Sequence, residues 1–244
     1  MGKTQSQKQQ GGRNKAEKKQ GGRSKKTKKQ GGRKIGKANS LLGDSWDLWL
    51  KHVLKTVGAR FYFILWLTRV LCIRVTQSAQ LEVEDMNCDK KKVWIRPFKK
   101  HLGIWKDLVP SVLATIRMVK KKGITDASGT WTWPKSGPLF PSRTGAKLKH
   151  LSKDVVSHAI VKARKTFQCE DLTTEDVEKI RSHSGRRNAI SRFAGAGIPD
   201  PVGMAFAQIG SIRVYRGYVD VDPAQVKDAM IEFDRSHRIG RLPK

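Results

Sequence analysis

Acidic residues are scarce in this chain of 244 residues: 21 Asp and Glu stand against 50 Lys and Arg, a formal net charge of +29. The few acids are scattered, which argues against a nuclease built on clustered, metal-binding carboxylates. Cysteine is as sparse. Cys72, Cys88 and Cys169 are odd in number, widely spaced and without a C-x-x-C pair. Neither a disulfide framework nor a zinc site is expected, and a reducing, intracellular compartment is. Long hydrophobic runs are missing too. The longest, Phe61 to Leu67, stops at Thr68 and Arg69, well short of the about 20 residues of a membrane span. Mean hydropathy is −0.54. The first 40 residues hold no apolar stretch, so no secretory leader is expected. There is no Gly-x-Gly-x-x-Gly after a strand and no phosphate loop ending in Gly-Lys-Ser/Thr. No cofactor, no metal and no small-molecule ligand is therefore expected.

What the chain has in excess is positive charge, which points to a polyanion as partner, most simply nucleic acid. The excess is uneven. Residues 1–40 carry fourteen Lys/Arg against one acid, Glu17, and Ile35 is their only large apolar side chain after Met1. They repeat with a ten-residue period, Gln10-Gly-Gly-Arg13, Gln20-Gly-Gly-Arg23 and Gln30-Gly-Gly-Arg33. Such material cannot bury enough surface to offset its chain entropy. It reads as a disordered basic tail whose Arg13, Arg23 and Arg33 contact phosphates and release counterions, and it also fits a nuclear-import signal. Met1-Gly2-x-x-x-Ser6 matches a myristoylation pattern. The pattern is short and common, and a membrane partner is not expected.

Folding sequence begins near Leu41. Trp46, Trp49, Leu50, Val53, Leu54 and Val57 form a helical stripe that Gly58 ends. A second, more buried helix is expected over 60–74. Val93 to Ile95 reads as a strand, 99–106 as a turn, Leu108-Val109 as a second strand and Ser111 to Lys122 as a helix. The Pro-, Gly-, Ser- and Thr-rich stretch from Thr125 to Lys149 reads as a loop, whose Trp131 and Trp133 either stack on bases or anchor it to the core. Further helices are expected at 152–166, 174–182, 184–196, 201–208 and 223–235. The last opens on Asp222-Pro223 and carries Val226, Met230 and Phe233 on one face. The fold class is mainly α with a small antiparallel β-sheet, α+β.

The chemistry concentrates in the C-terminal third. His183 and Arg186 in Arg181-Ser-His-Ser-Gly-Arg-Arg187 are three apart, on one face at the start of a helix. The free N–H groups and partial positive charge of that end make a phosphate site. Tyr218 lies downstream, before the last helix.

At these residues the chain resembles the catalytic domain of the tyrosine recombinases, or phage-type integrases. His183 to Arg186 matches the family's His-x-x-Arg box, and Tyr218 follows Arg186 by 32 residues, where the family's tyrosine stands. Leu71-Cys-Ile-Arg74-Val-Thr-Gln77, followed by Leu81-Glu-Val-Glu-Asp85-Met86, is similar to the Thr-Gly-Leu-Arg-x-x-Glu segment with the family's first arginine. Val93 to Val109 matches the strand-turn-strand that carries its lysine, here Lys99 or Lys100. Pro138-Leu-Phe140-Pro-Ser looks like the segment leading to the box. The resemblance spans about residues 46–235. It implies a DNA strand transferase in which Arg74 and Arg186 grip the scissile phosphate, Tyr218 attacks it to form a 3′-phosphotyrosyl link, His183 donates to the phosphate and Lys99 or Lys100 protonates the leaving oxygen. Double-stranded DNA is the implied partner, without cofactor or metal. A homo-multimer joined through the C-terminal helix is implied as well, in the nucleus of a eukaryote or the nucleoid or cytoplasm otherwise.

The expected organisation is a tail over 1–40, a helix over 41–58 as the remnant of a core-binding domain, and a catalytic domain over 59–244. Three departures from the family pattern stand out. Gln77 replaces an acid. Gln208 or Ile209 occupies the place of a second His that usually follows a Gly, and Gln208 is the one able to donate a hydrogen bond. The tail stands where a DNA-clamping domain would be. A degenerate, transposon-derived copy would carry such departures, and the alternative reading is a catalytically inactive basic DNA- or RNA-binding protein. Individual residues keep their alternatives. Tyr215 rivals Tyr218 as nucleophile, and Arg74 either pairs with Glu82, Glu84 or Asp85 or reaches the phosphate. Arg187 and Lys106 are expected to contact the DNA backbone generally.

Overall fold

A computed structural model describes residues 37–98, 102–142 and 149–221, with 226 and 231. Two helices packed on each other carry much of the core. α1 (Ser45–Val57) puts Trp46, Trp49, Leu50 and Val53 into the core. Gly58, at φ 101°, turns the chain into α2 (Ala59–Val70), where left-handed backbone suits glycine. The N-terminus of α2 is capped from outside its own segment: Asp126 Oδ2 accepts the Ala59 N–H at 2.6 Å. α2 buries Phe63, Ile64, Leu65 and Leu67 and ends four residues before the expected boundary.

A short helix α3 (Val75–Ala79) and a 3-10 turn (Val83–Asp85) lead into the sheet β1 (Met86–Asn87), β2 (Lys92–Ile95) and β3 (Ile104–Asp107). The sheet is antiparallel in the order β1-β2-β3, with Val93 opposite Lys106 and Trp94 opposite Trp105. The second long strand thus precedes the expected Leu108-Val109. Leu108 packs inward, and Val109 caps α4 (Pro110–Lys122), because Pro110 belongs in a first helical turn. The stretch expected as a loop contains most of a hairpin, β4 (Ile124–Asp126) and β5 (Gly129–Trp131). Trp131 stacks on Phe140 with centroids 5.7 Å apart and lies 5.7 Å from Phe63, so this tryptophan anchors the segment to the core.

α5 (Lys153–Arg164) and α6 (Thr174–Glu178) close the main core with Val156, Ile160 and Val177. α7 (Ser184–Gly195), α8 (Asp200–Ala207) and α9 (Ile212–Arg216) follow, the last unforeseen in the sequence. Residues 37–40, counted in the expected tail, are stitched to this body. Asn39 donates its N–H to the Lys179 carbonyl at 3.0 Å, and Ser40 is buried. The helix expected as a domain remnant is α1, which packs directly on α2 and α5 within the main core. Arg13, Arg23, Arg33, Lys99, Lys100, Met230 and Phe233 lie outside the described residues; Val226 is helical and exposed. Among the described residues no helix is long and apolar enough to cross a membrane, and no His, Cys, Asp or Glu group could hold a metal ion.

Candidate active site

The site grows from two helix ends. Past α2, Cys72 takes a left-handed backbone with φ 50°, which turns the chain so that Ile73 is buried and Arg74 becomes the N-cap of α3. Gln77 holds this turn: its Oε1 accepts the Arg74 N–H at 3.2 Å and its amide donates to the Arg96 carbonyl at 3.3 Å. A neutral side chain in the acid's place therefore still fixes the backbone of the first arginine. The carboxylates considered as partners for Arg74 are engaged elsewhere. Arg96 pairs with Glu82 at 2.5 Å and Asp85 at 2.9 Å, and Glu84 accepts the Gly137 N–H. Arg74 Nη1 is buried without a hydrogen-bond partner, its guanidinium 5.3 Å from the Phe98 ring. Burial lowers its pKa, and nearby Arg186 lowers it further.

α7 brings the second arginine. A Cβ on Gly185 would collide with the Thr68 hydroxyl and approach the Trp46 ring to 2.7 Å, so glycine lets α7 lie against α2. His183 is exposed at the N-cap of α7, its Nδ1 3.4 Å from the Ser182 hydroxyl. Arg186 is only 1% exposed. Its Nη1 donates to the Cys72 carbonyl at 2.9 Å and its Nη2 to the Ala207 carbonyl, while Nε has no partner.

Arg187 is not a surface contact. Its side chain is buried and forks onto Asp220, with Nη2 at 2.7 and 2.8 Å from the two carboxylate oxygens, and its Nη1 donates to the Gly217 carbonyl at 2.9 Å. One turn on, the Ser191 hydroxyl donates to the Tyr218 carbonyl at 3.3 Å and accepts the Asp220 N–H at 2.9 Å. Residues on both sides of Tyr218 are thus fastened to α7. Tyr218 is half-buried just past α9, its ring 5.8 Å from the Arg186 guanidinium and 5.6 Å from that of Arg187. Lys37 also binds Asp220, at 2.6 Å. Burial pushes the Asp220 carboxyl up, but hydrogen bonds from Arg187 and Lys37 outweigh it and hold its pKa below the usual carboxylate range. Tyr215, the rival nucleophile, has no exposed surface and packs its hydroxyl against Gly203.

Lys106 also departs from its expected place. It points inward from β3, and its Nζ donates to the Leu71 carbonyl at 2.7 Å and to the Phe206 carbonyl. Burial, with the Arg186 guanidinium nearby acting in the same direction, brings its pKa down to about 8. Gln208 closes α8 in left-handed conformation, φ 52°, its Oε1 buried without a partner, and Ile209 is buried beside it. Cys72 and Gln208 thus both take left-handed backbone, Cys72 at the position where the resemblance places glycine. The sequence did not single out Gly185, Ser191 or Asp220. The one signal was the four-residue spacing of Arg187 and Ser191 on a helix.

The model of the phage integrase family matches residues 49–224, and the chain belongs to that family. Its fold is that of tyrosine recombinase catalytic domains. It is similar to XerA recombinase, with TM-score 0.55 and 13% identity over 89% of this chain and 68% of that one. It is similar to the Tn1549 transposon integrase in complex with transposon right-end DNA, with TM-score 0.52 and 11% identity over 81% of this chain and 66% of that one. It is also similar to the XerH site-specific recombinase bound to palindromic difH substrate, with TM-score 0.52 and 13% identity over 80% and 53%. The chain therefore spans about two thirds of the first two proteins and about half of the third. No curated protein matches the sequence significantly.

Proposed function

We propose that this chain is a site-specific DNA recombinase that cuts and rejoins duplex DNA through a 3′-phosphotyrosyl intermediate. One observation carries the reading: Arg74 and Arg186 bring buried, unpartnered N–H groups close to one tyrosine. No carboxylate among the described residues pairs with either. Arg186 is almost wholly buried and Arg74 half-buried with its Nη1 out of water, and both lack a counter-charge among the described residues; that is unfavourable, and a phosphodiester supplies both the missing charge and the missing acceptors. In that pose the arginines stabilise the charge that develops at phosphorus. The Tyr218 oxygen attacks phosphorus and gives up its proton, the bond to the 5′-oxygen breaks, and that oxygen takes up a proton as it leaves. The reverse step, with a 5′-hydroxyl of another strand, restores the backbone without ATP. His183 at the head of α7 is assigned to the phosphate, Lys99 or Lys100 to the leaving oxygen, and the segment expected as a C-terminal helix to contact with a neighbouring copy.

A suicide duplex nicked beside the cleavage site tests this. The wild type and Tyr215→Phe are expected to form a covalent protein–DNA adduct, and Tyr218→Phe none. An adduct that survives Tyr218→Phe removes the assignment. A non-catalytic nucleic-acid binder is the second reading, favoured by the bonding of both Arg186 Nη atoms to backbone carbonyls; binding with no adduct, indifferent to Arg74 or Arg186 substitution, selects it. With a basic arm on about 6–10 phosphates, affinity falls roughly 10³–10⁵-fold between about 50 and 200 mM salt.

A further inference from the structure

We infer that Lys106 is a positioning residue for strand transfer, clasping together with Arg186 the C-terminal ends of α2 and α8 so that Arg74 and the Tyr218 segment keep one relative position. The inference rests on the strand-transfer reading. Its basis is a repeated pattern of bonds. Lys106 joins the Leu71 carbonyl to the Phe206 carbonyl, and Arg186 joins the Cys72 carbonyl to the Ala207 carbonyl. Two cations thus span the same gap through consecutive carbonyl pairs. The last carbonyls of a helix lack partners within it and carry its partial negative charge, which makes cations their natural bridge.

What the two ends carry gives the bridge its consequence. Arg74 follows Cys72 by two residues. Past Gln208 the chain enters α9, and Tyr215 seats α9 on α8 through Gly203. α2 and α8 are therefore the supports of the two groups that must meet at one phosphate. The lysine is placed for the task and not for solubility. Alternation along β3 sends Trp105 and Asp107 outward and Lys106 inward, 5% exposed, with its Nζ 4.1 Å from the centre of the Phe206 ring. Its neighbours across the pocket are the Cys72 thiol and the Arg186 guanidinium. The left-handed residues Cys72 and Gln208 sit within these bonded pairs or next to them, and strained backbone persists where the surroundings over-determine it.

The test compares Lys106→Met, which keeps length without donors, with Lys106→Gln, which keeps two N–H donors but has no proton to give. Single-turnover adduct formation is expected to fall on the order of 100-fold in Lys106→Met, while affinity for the uncleaved site stays near wild type. Lys106→Gln is expected to recover much of the rate. In the free protein, amide exchange at Ile73 and Gln208 is expected to rise together in Lys106→Met, by about tenfold or more, with α5 unchanged. A substrate with a bridging 5′-sulfur, which leaves without protonation, is expected not to rescue Lys106→Met. Rescue by that substrate, with Lys106→Gln as slow as Lys106→Met, would make Lys106 a proton donor and overturn the inference. Unchanged exchange in Lys106→Met alongside a normal wild-type adduct overturns the clasp alone, whereas a wild type that forms no adduct overturns the strand-transfer reading.

Discussion

Where α1, α2 and α5 meet, the contact is hydrocarbon: Trp46, Trp49, Val53, Phe63, Leu67, Val156 and Ile160 lie within one continuous core. Around α7, α8 and α9 the apolar cluster is small, Cys72, Ala189, Ile190, Ala207, Ile209 and Tyr215. There Lys106, Arg186, Arg187 and Ser191 fasten the chain through hydrogen bonds to carbonyls and one carboxylate. The first region is held by a force proportional to area, about 1.5–3 kcal/mol for each large side chain buried, and indifferent to direction. The second is held by bonds that weaken quickly when donors and acceptors are misaligned. Hydrocarbon gives the molecule its stability, and the cationic corner gives the site its geometry.

Substitutions in the two regions should separate these contributions. Phe63→Ala, in the aromatic cluster, is expected to cost about 3–5 kcal/mol of unfolding free energy by denaturant titration. A loss under about 1 kcal/mol would mean that the cluster collapses around the gap. Gly185→Ala places a methyl against Thr68 and Trp46. A loss of about 3 kcal/mol is expected in thermal unfolding, together with displacement of Arg186 at the boundary between the regions.

The pH dependence of stability distinguishes the corner further. The folded Lys106 gives up its proton at about 8 and the unfolded one at 10.5, so between those values the unfolded state holds more protons. The contribution of this lysine to stability therefore rises with pH through that window, by up to about 1.4 kcal/mol per unit. Lys106→Met should lack this increment when the two proteins are unfolded in parallel at pH 8 and above. The smallest effect on stability is expected where the effect on chemistry is large. Arg74→Met removes a half-buried cation whose Nη1 has no hydrogen-bond partner and should leave stability within about 0.5 kcal/mol of wild type, or raise it. Adduct formation should fall about 10²–10³-fold. A variant that unfolds would mean that Arg74 belongs to the scaffold.

The scaffold was legible because its signals are local. The stripe from Trp46 to Val57 and the Pro110 and Gly123 boundaries of α4 mark their elements within a few residues. β3 was misplaced because Leu108-Val109 looks more strand-like than Trp105-Lys106-Asp107, and tertiary pairing with β2 overrode that preference. The hairpin at Ile124–Trp131 and the helix at Ile212–Arg216 are too short to show a period. In the site, the order of Arg74, His183, Arg186 and Tyr218 along the chain was readable, but the burial of Lys106, Arg186 and Arg187 was not. In a chain so rich in lysine and arginine nothing local tells an inward cation from a solvated one.

The sequence by itself determined the charge, the helical class, the family and the residues that carry its motifs, since composition, apolar spacing and motif order are properties of a string. Only the tertiary structure decided which cations face backbone carbonyls, which carboxylates are already engaged, and that Gln77 and Ser191 hold the chain beside Arg74 and Tyr218. Those are matters of distance between segments remote in sequence, and a buried charge finds its partners only when the helix ends that offer them have packed together.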